Sequence, residues 1–182
     1  TYASKTVTVT DASGNASSLT LTTFVVDTTS PTAAITYDAV APFKNGDAAV
    51  TITATFNGPV LDSPVPTIAI AGSGIANVTS TNMTKVSTTV YTYSYAVPTG
   101  DGTGTVTVGT GTDAAGNTVT SVPTSGATFT VDNTAPTISA VTQVVTPSND
   151  TTPSYVFTTN EAGTITTNIT EGFSTSASAA TG

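Results

Sequence analysis

One phrase occurs twice in the chain and does most to constrain how it folds. Residues 24–32 are FVVDTTSPT and residues 129–137 are FTVDNTAPT, so that Asp27 and Asp132 lie 105 residues apart. Each copy is an apolar, β-branched run followed by a short proline-containing stretch, which is typical of the end of one β-domain and the start of the next. A spacing of about 100 residues is the size of one small β-sandwich. The repeat therefore predicts a tandem array of β-domains.

The repeat divides the chain into three predicted parts. Residues 1–30 are interpreted as the C-terminal hairpin of a preceding domain, because two stretches that alternate apolar residues with Thr or Ser flank a glycine-containing turn. Residues 31–133 are predicted to hold one complete domain. Residues 134–182 are predicted to hold the N-terminal strands of a following domain. The strands predicted in this last part are 138–145, 154–158 and 163–169.

The central part has the pattern of an antiparallel sandwich. Alternation is clearest in residues 50–56, where four apolar residues alternate with three threonines. Tyr91, Tyr93 and Tyr95 share one face of another predicted strand, and we expect this face to point into the core rather than to form an exposed ladder for glycans. The predicted strands are 33–37, 50–56, 67–71, 75–78, 89–97, 105–108 and 118–131, the last interrupted near 123–126. The predicted fold class is all-β, with tandem immunoglobulin-like antiparallel β-sandwiches.

The charge of the chain argues against several classes of partner. The 182 residues carry a net charge of −8 with only three Lys or Arg residues, whereas binding to nucleic acids or anionic membranes needs clustered positive charge. No apolar run approaches the ~18 residues that a membrane-spanning helix needs. We therefore expect neither a nucleic-acid partner nor membrane insertion.

The chain also lacks the residues on which most enzymes depend. It contains no Cys, His or Trp, so disulfide, thiolate and imidazole chemistry are not open to it. Acid–base catalysis would need a carboxylate pair such as Asp101 and Asp113. The predicted topology places these two residues at opposite ends of the sandwich, so we expect the protein not to be an enzyme.

The junction phrases resemble those of a known family. The stretches DASGN…FVVDTTSPT and DAAGNTVT…FTVDNTAPT resemble bacterial Ig-like (Big-type) tandem repeats of large surface proteins and adhesins. FKNGDAAVTITATFNGPV resembles the region of the first two strands in such repeats, and TPSNDTTPSYVFTTNEAGTITT resembles the opening of a second repeat type. The resemblance covers nearly the whole chain. It implies an extracellular, cell-surface location, a tandem arrangement, and often Ca²⁺ that stiffens the domains or their junctions.

The predicted topology also brings acidic side chains to the two ends of the central domain. Asp62 is in the loop after the second strand, Asp113 and Asn117 are in the last loop, and Asp27 ends the preceding domain. In a seven-strand sandwich these positions lie at the end where the chain enters. The residues predicted near the other end are Asp47, Asp101 and Asp132, with Glu161 of the following domain.

Clustered carboxylates repel one another unless a cation lies among them. Ca²⁺ takes six to eight oxygen ligands, and extracellular modules bind it at about 10⁻⁴–10⁻³ M. The sequence thus predicts Ca²⁺ at one or both junctions, where it would lock neighbouring domains into a rod. The alternative is that Asp and Asn form Asx-turns that cap the loop backbones, since a DxxGN turn needs no metal.

The predicted function is that of an extracellular structural spacer, part of a long cell-surface fibre, stalk or adhesin shaft, whose partners are neighbouring domains of the same chain or identical subunits. Two alternatives stay open. One is a self-assembling filament or surface-layer subunit joined by strand addition, and the other is an adhesion module that binds a glycan or a protein. Five Asn-X-Ser/Thr sequons could carry N-glycans, although the abundance of Ser and Thr makes chance occurrence common. The sequon residues are Asn15, Asn77, Asn82, Asn149 and Asn168.

Overall fold

The structure is a computed structural model that describes residues 3–164 and 166. The predicted strand 163–169 and the sequon at Asn168 therefore lie largely or wholly outside the described residues. The chain divides into two compact units, Thr1–Asn133 and Thr134–Gly182, and each is described here by itself. The described part is all-β: its strands form several antiparallel sheets and it contains no helix, hence no helix able to span a membrane.

The first unit begins with a regular hairpin. Strands β1 (Lys5–Thr10) and β2 (Ala16–Leu21) pair along their full length, from Lys5 opposite Leu21 to Thr10 opposite Ala16. Its large apolar side chains were expected to be half-buried, but they are mostly exposed, with Val9 at 70% and Leu19 at 66%. The hairpin thus presents an apolar face that no other described part of the chain covers.

Eight strands follow in the rest of the first unit, between residues 33 and 131. The strands predicted at 33–37 and 50–56 are observed with the same bounds, so both predictions are confirmed. The strands are β3 (Ala33–Tyr37), β4 (Val50–Phe56), β5 (Thr67–Ser73), β6 (Val78–Asn82), β7 (Thr84–Lys85), β8 (Val90–Tyr95), β9 (Gly102–Gly109) and β10 (Thr128–Val131).

These strands form two four-stranded antiparallel sheets. One sheet has the order β10-β9-β5-β6 and the other has the order β3-β4-β8-β7. The longest pairings are β5 with β9, over seven residue pairs, and β4 with β8, over six. Each sheet therefore combines strands that are distant in sequence, which requires the chain to cross between the sheets several times.

One hydrophobic core takes residues from both sheets. Ile52 and Tyr91 of one sheet and Ile68 and Val106 of the other have no exposed surface. Tyr95 is also buried, and Tyr93 is partly buried against the same core. The expectation that the tyrosine face of this strand points inward is confirmed.

Two strand predictions were wrong. The strand predicted at 75–78 begins at Val78 instead, because Gly74 has a φ of +82° and the backbone bends before β6. The rest of β6 is Thr, Ser and Asn, and β7 has only two residues, so neither offers an apolar alternation; most of β6 and all of β7 were therefore not predicted.

The strand predicted at 118–131, with an interruption near 123–126, is observed only after that interruption. Only Thr128–Val131 forms β10, next to β9. The preceding residues lie instead beside β3, with Ala34 bridged in parallel to Ser125. Pro123 has no amide hydrogen, and Gly126 has a φ of +67° at a point where its backbone approaches the Ile35 carbonyl. These two residues allow the chain to change sheets.

The second unit has one described hairpin. Strand β11 (Ile138–Thr142) pairs with β12 (Val156–Thr159), with a register shift between Ala140 and Thr142. Both strands are shorter than their predictions at 138–145 and 154–158. Tyr155, within the strand predicted at 154–158, precedes β12 and is 52% exposed.

Candidate functional site

The two DxxGN motifs fold into the same turn, which we call the Asp–Asn turn. In the copy at 113–117, Asp113 Oδ1 accepts hydrogen bonds from the amides of Ala115 and Asn117, each at 2.9 Å. Asp113 Oδ2 accepts a third from Asn117 Nδ2, also at 2.9 Å. Gly116 adopts a φ of +89°, which explains why glycine stands at this position.

The copy at 11–15 repeats these bonds. Asp11 Oδ1 accepts from the amides of Ser13 and Asn15, and Asp11 Oδ2 accepts from Asn15 Nδ2, all at 2.9 Å. In both turns the hydrogen bond from the Asn side chain is the largest influence that lowers the pKa of the aspartate. Both carboxylates thus act as acceptors for their own loop, as the Asx-turn alternative predicts.

The two Asp–Asn turns differ in one contact. Asn117 Nδ2 also donates to the backbone carbonyl of Asp27, at 3.0 Å. Asp27 in turn accepts a hydrogen bond from the Thr29 amide on Oδ1, at 3.0 Å. The last loop of the central domain therefore holds the residue that the sequence identified as the end of the preceding domain.

The rest of the junction segment, defined as residues 27–32, is attached to the same end of the domain. The Pro31 carbonyl accepts hydrogen bonds from the amide of Thr120, at 2.9 Å, and from its hydroxyl, at 3.3 Å. The Thr32 amide donates to Asn57 Oδ1 at 2.9 Å, and the Asn57 amide donates back to the Thr32 carbonyl at 3.0 Å. Pro31 is buried. The junction segment is thus bound to the domain at its first residue and at its last two.

Asp62 was predicted near Asp27 and Asp113, and its loop does meet theirs, since the Leu61 amide donates to the Thr112 carbonyl at 2.8 Å. Its carboxylate, however, has other partners. Asp62 Oδ2 forms an ion pair with Lys85 at 2.5 Å, and Asp62 Oδ1 accepts from the Tyr91 hydroxyl at 2.8 Å. The Lys85 contact is the main cause that holds the pKa of Asp62 below its usual value.

At the other end of the domain, a cluster of Asn45, Asp101 and Asn133 ties the loops to the end of the last strand. The Asn133 amide donates to Asp101 Oδ1 at 2.5 Å, and Asn133 Oδ1 accepts from the Asn45 amide at 2.6 Å. Asn133 Nδ2 donates to the Gly100 carbonyl at 2.5 Å. Asn45 Nδ2 reaches the Val97 carbonyl at 2.7 Å. We call this set the C-terminal cluster.

The remaining predicted site residues have these positions. Asp132 donates its amide to the Phe43 carbonyl at 2.9 Å, and the Asp47 amide closes a turn onto Lys44 at 3.4 Å. Glu161 belongs to the second unit, where its Oε1 accepts from Asn160 Nδ2 at 3.1 Å.

These contacts bear on the predicted calcium sites. Across residues 3–164 and 166, no three Asp, Glu, His or Cys side chains come together as a metal-binding group. Asp62 and Asp113 use both carboxylate oxygens for protein partners, and Asp27 uses one. The donor set at the first junction therefore does not fit a site built on those three carboxylates. Calcium at the junctions stays a prediction.

Four asparagines were not predicted from the sequence, although their side chains hydrogen-bond the chain next to the two junctions. Asn57 directly follows β4 and Asn160 directly follows β12, and each accepts a hydrogen bond from the Thr that follows a junction proline. The matching bond from Thr137 to Asn160 Oδ1 is 2.6 Å. The sequence did contain a signal for these two residues, because an Asn stands directly after each of the strands β4 and β12. Asn45 and Asn133 carried no comparable signal.

No family model matches the chain, and neither does any curated protein or solved structure. The geometry of the junctions and of the strands that meet there therefore carries the functional inference.

Proposed function

We propose that residues 31–133 form an immunoglobulin-like β-sandwich that serves as a load-bearing spacer in an extracellular tandem array. The sheet orders β3-β4-β8-β7 and β10-β9-β5-β6 support the sandwich, because they pair the first, second and fifth predicted strands in one sheet and the third, sixth and seventh in the other. The shared hydrophobic core supports it as well. The resemblance of the junction phrases to bacterial Ig-like repeats of surface proteins is consistent with this assignment.

The observation that carries the mechanical role is the parallel pairing of the first and last segments of the domain. Ala34 is bridged in parallel to Ser125, and Phe43 is bridged in parallel to Val131. Five backbone hydrogen bonds join these two segments, with N–O distances from 2.7 to 3.0 Å. The donors and acceptors are Thr120 to Pro31, Thr124 to Ala33, Ile35 to Ser125, Phe43 to Thr130 and Asp132 to Phe43.

Parallel pairing determines how a pulling force acts on these bonds. Because the two segments run in the same direction, the chain enters the pairing at one end and leaves it at the other. A force that separates the two chain ends then acts along the strands and loads the bonds together. Bonds loaded together must break together, whereas a hairpin opened from its end breaks one bond at a time. This geometry suits a domain that transmits tension.

An aromatic cluster reinforces the same region. The ring of Phe129 packs against those of Tyr37, Phe43 and Tyr95, with centroid distances of 5.6, 5.3 and 5.2 Å. Such aromatic pairs add about 0.5–1.5 kcal/mol each beyond their buried area. The Tyr37 hydroxyl donates to the Gly126 carbonyl at 2.7 Å, and burial raises the pKa of Tyr37 to about 12. The last strand is therefore held by side chains as well as by its backbone.

Single-molecule force spectroscopy tests this role. Thr120→Pro removes both hydrogen-bond donors to Pro31, and we expect it to lower the unfolding force of the domain. Thr120→Val keeps the amide and the strand propensity, so it is the matched control and should unfold near the wild-type force. If Thr120→Pro and wild type unfold at the same force, the parallel pairing does not bear the load.

A second candidate function is the assembly of chains through their terminal hairpins. The exposed apolar faces favour it, with Leu19 at 66% and Leu21 at 48% on the first hairpin, and Ile138 at 68% and Val141 at 59% on the last. In an array, neighbouring domains would cover these faces. In an assembly, a second copy would cover them by strand addition. Light scattering over a range of concentrations separates the two, because a spacer segment stays monomeric whereas strand exchange gives a polymer that grows with concentration.

A further inference from the structure

We propose that the Asp–Asn turn is the docking site for the end of a preceding β-unit, and that its Asn side chain takes the bridging role the sequence assigned to Ca²⁺. This inference rests on the proposed tandem array and deepens it by naming the group that joins one β-unit to the next. The partner of the turn is a backbone carbonyl in the segment that follows the hairpin, whose last strand ends at Leu21. In the described structure that carbonyl belongs to Asp27.

The chemistry of the turn prepares the Asn amide for this contact. Asp113 Oδ2 accepts one N–H of Asn117 Nδ2, which fixes the orientation of the amide plane. The same nitrogen donates to the Asp27 carbonyl at 3.0 Å. A carboxylate at position 117 could not make this contact, because two oxygens would face each other without a proton. The bond within the turn to Asp113 Oδ2 needs a donor as well, so Asn at this position satisfies both acceptors with one amide group.

The junction segment is also bound on the C-terminal side of this contact, at Pro31 and Thr32. Thr120 holds the Pro31 carbonyl through its amide and its hydroxyl, and Asn57 holds both the amide and the carbonyl of Thr32. These bonds fix the start of the central domain. The bond from Asn117 to Asp27 extends the attachment to the last residue of the preceding part. The junction is therefore held by neutral hydrogen bonds that need no cation.

The second copy of the turn supplies an internal comparison. Asn15 Nδ2 likewise donates to Asp11 Oδ2, at 2.9 Å, and this nitrogen has no second hydrogen-bond acceptor within the described residues. It presents the amide in the same orientation. Where a β-unit precedes it, we expect Asn15 to hold the last carbonyl of that unit as Asn117 holds Asp27.

Pulsed electron spin resonance on the full chain tests the proposal. Because the sequence has no cysteine, spin labels can be attached at Ser17→Cys in the hairpin and Ser80→Cys in strand β6, both of which are exposed. The distance distribution between the labels reports whether the hairpin is docked. The doubly labelled protein is measured without a further substitution, with Asn117→Ala, and with Asn15→Ala. Each of the three is measured in excess Ca²⁺ and in chelator.

The two variants are matched. Both remove the Asn–Asp side-chain bond of an Asp–Asn turn, but only Asn117→Ala removes the contact with Asp27. The loss of one neutral hydrogen bond changes the ratio of docked to undocked junction by about fivefold, which corresponds to about 1 kcal/mol. We expect this increase of the undocked population in Asn117→Ala, a wild-type distribution in Asn15→Ala, and no effect of chelator. Circular dichroism at the measuring temperature verifies that each variant is folded.

Two results would overturn the proposal. One is an Asn117→Ala distribution no broader than that of Asn15→Ala. The other is a broad wild-type distribution that narrows only when Ca²⁺ is added, since the cation and not the amide would then make the junction. A failure of the proposed spacer function would be seen in a different measurement. The unfolding force of the domain would then be low, while the spin-label distances would still show a docked junction.

Discussion

Tyr91 and Tyr95 provide a matched pair for testing how the central domain is stabilised. Both lie on β8, both have less than 2% of their surface exposed, and they differ in the surroundings of the hydroxyl. The Tyr91 hydroxyl donates to Asp62 at 2.8 Å, and it lies 3.3 Å from the Val60 carbonyl. The Tyr95 hydroxyl is buried and has no hydrogen-bond partner among the described residues. Replacing each tyrosine by phenylalanine removes only the oxygen, so the two variants isolate this difference.

The expected effects have opposite signs. A buried hydroxyl without a partner costs about 1–3 kcal/mol of stability, so Tyr95→Phe should raise the free energy of unfolding by about 1 kcal/mol or more. A hydrogen bond that is made contributes about 0.5–1.5 kcal/mol, so Tyr91→Phe should lower it by about 1 kcal/mol. For a domain of about 100 residues, 1 kcal/mol shifts the melting temperature by about 4–8 °C.

Urea and thermal unfolding at pH 7 measure both changes. Burial raises the pKa of both tyrosines, with Tyr91 at about 12, so neither hydroxyl ionises under these conditions. The unfolding slope in urea should be the same for wild type and both variants, because the exposed surface on unfolding is unchanged. A loss of stability in Tyr95→Phe as large as that in Tyr91→Phe would refute the reasoning, since the Tyr95 hydroxyl would then have a partner, such as a buried water.

Three further predictions concern the strands and loops that frame the junctions. A Cβ at Gly104 would lie 2.3 Å from the Phe129 ring on the neighbouring strand, so Gly104→Ala should lower the free energy of unfolding by about 1–3 kcal/mol. Gly58 has open space around it, so Gly58→Ala should leave the free energy of unfolding measured in urea nearly unchanged. Asn133→Ala removes the side-chain bonds of the C-terminal cluster, and at about 0.5–1.5 kcal/mol for each bond it should lower the melting temperature by several degrees; an unchanged value would show that the loops hold without it. The pKa of Asp113 is lowered in the folded state, so its contribution is present above the unfolded pKa near 3.8 and is lost as the pH falls through the folded pKa. Stability measured between pH 5 and 2 should accordingly fall less steeply in Asp113→Asn than in wild type.

The strands that the sequence predicts best are those in which burial alternates. In residues 50–56 every second side chain enters the core, and the predicted and observed bounds coincide. Strands β6 and β7 have no such alternation, because β6 carries its Thr, Ser and Asn side chains on an edge that faces solvent. Their existence depends on pairing with β5 and β8 rather than on their own sequence.

The candidate site was predictable in part for a similar reason. Topology alone brings the last loop to the junction, and the structure places Asn117 in contact with Asp27. Topology does not specify which atoms pair. The ion pair of Asp62 with Lys85 joins a loop to a strand that the sequence did not reveal. The hydrogen bonds within the Asp–Asn turns, by contrast, follow from the DxxGN motif itself. In an Asx-turn the aspartate carboxylate accepts from backbone amides that follow it closely in the chain, as it does here from the amides two and four residues later.

The most direct test of the load-bearing role compares two directions of pulling on the same domain. Handles at Ser30→Cys and Thr134→Cys pull the first and last segments past each other and load their parallel hydrogen bonds together. Handles at Ser30→Cys and Thr118→Cys pull at neighbouring positions at one end of that pairing and open it bond by bond. Forced unfolding depends on the unfolding rate along the direction of pulling. We expect a clearly higher unfolding force in the first direction. Equal forces in the two directions, or a higher force in the second, would contradict the proposal that this domain is built to bear tension.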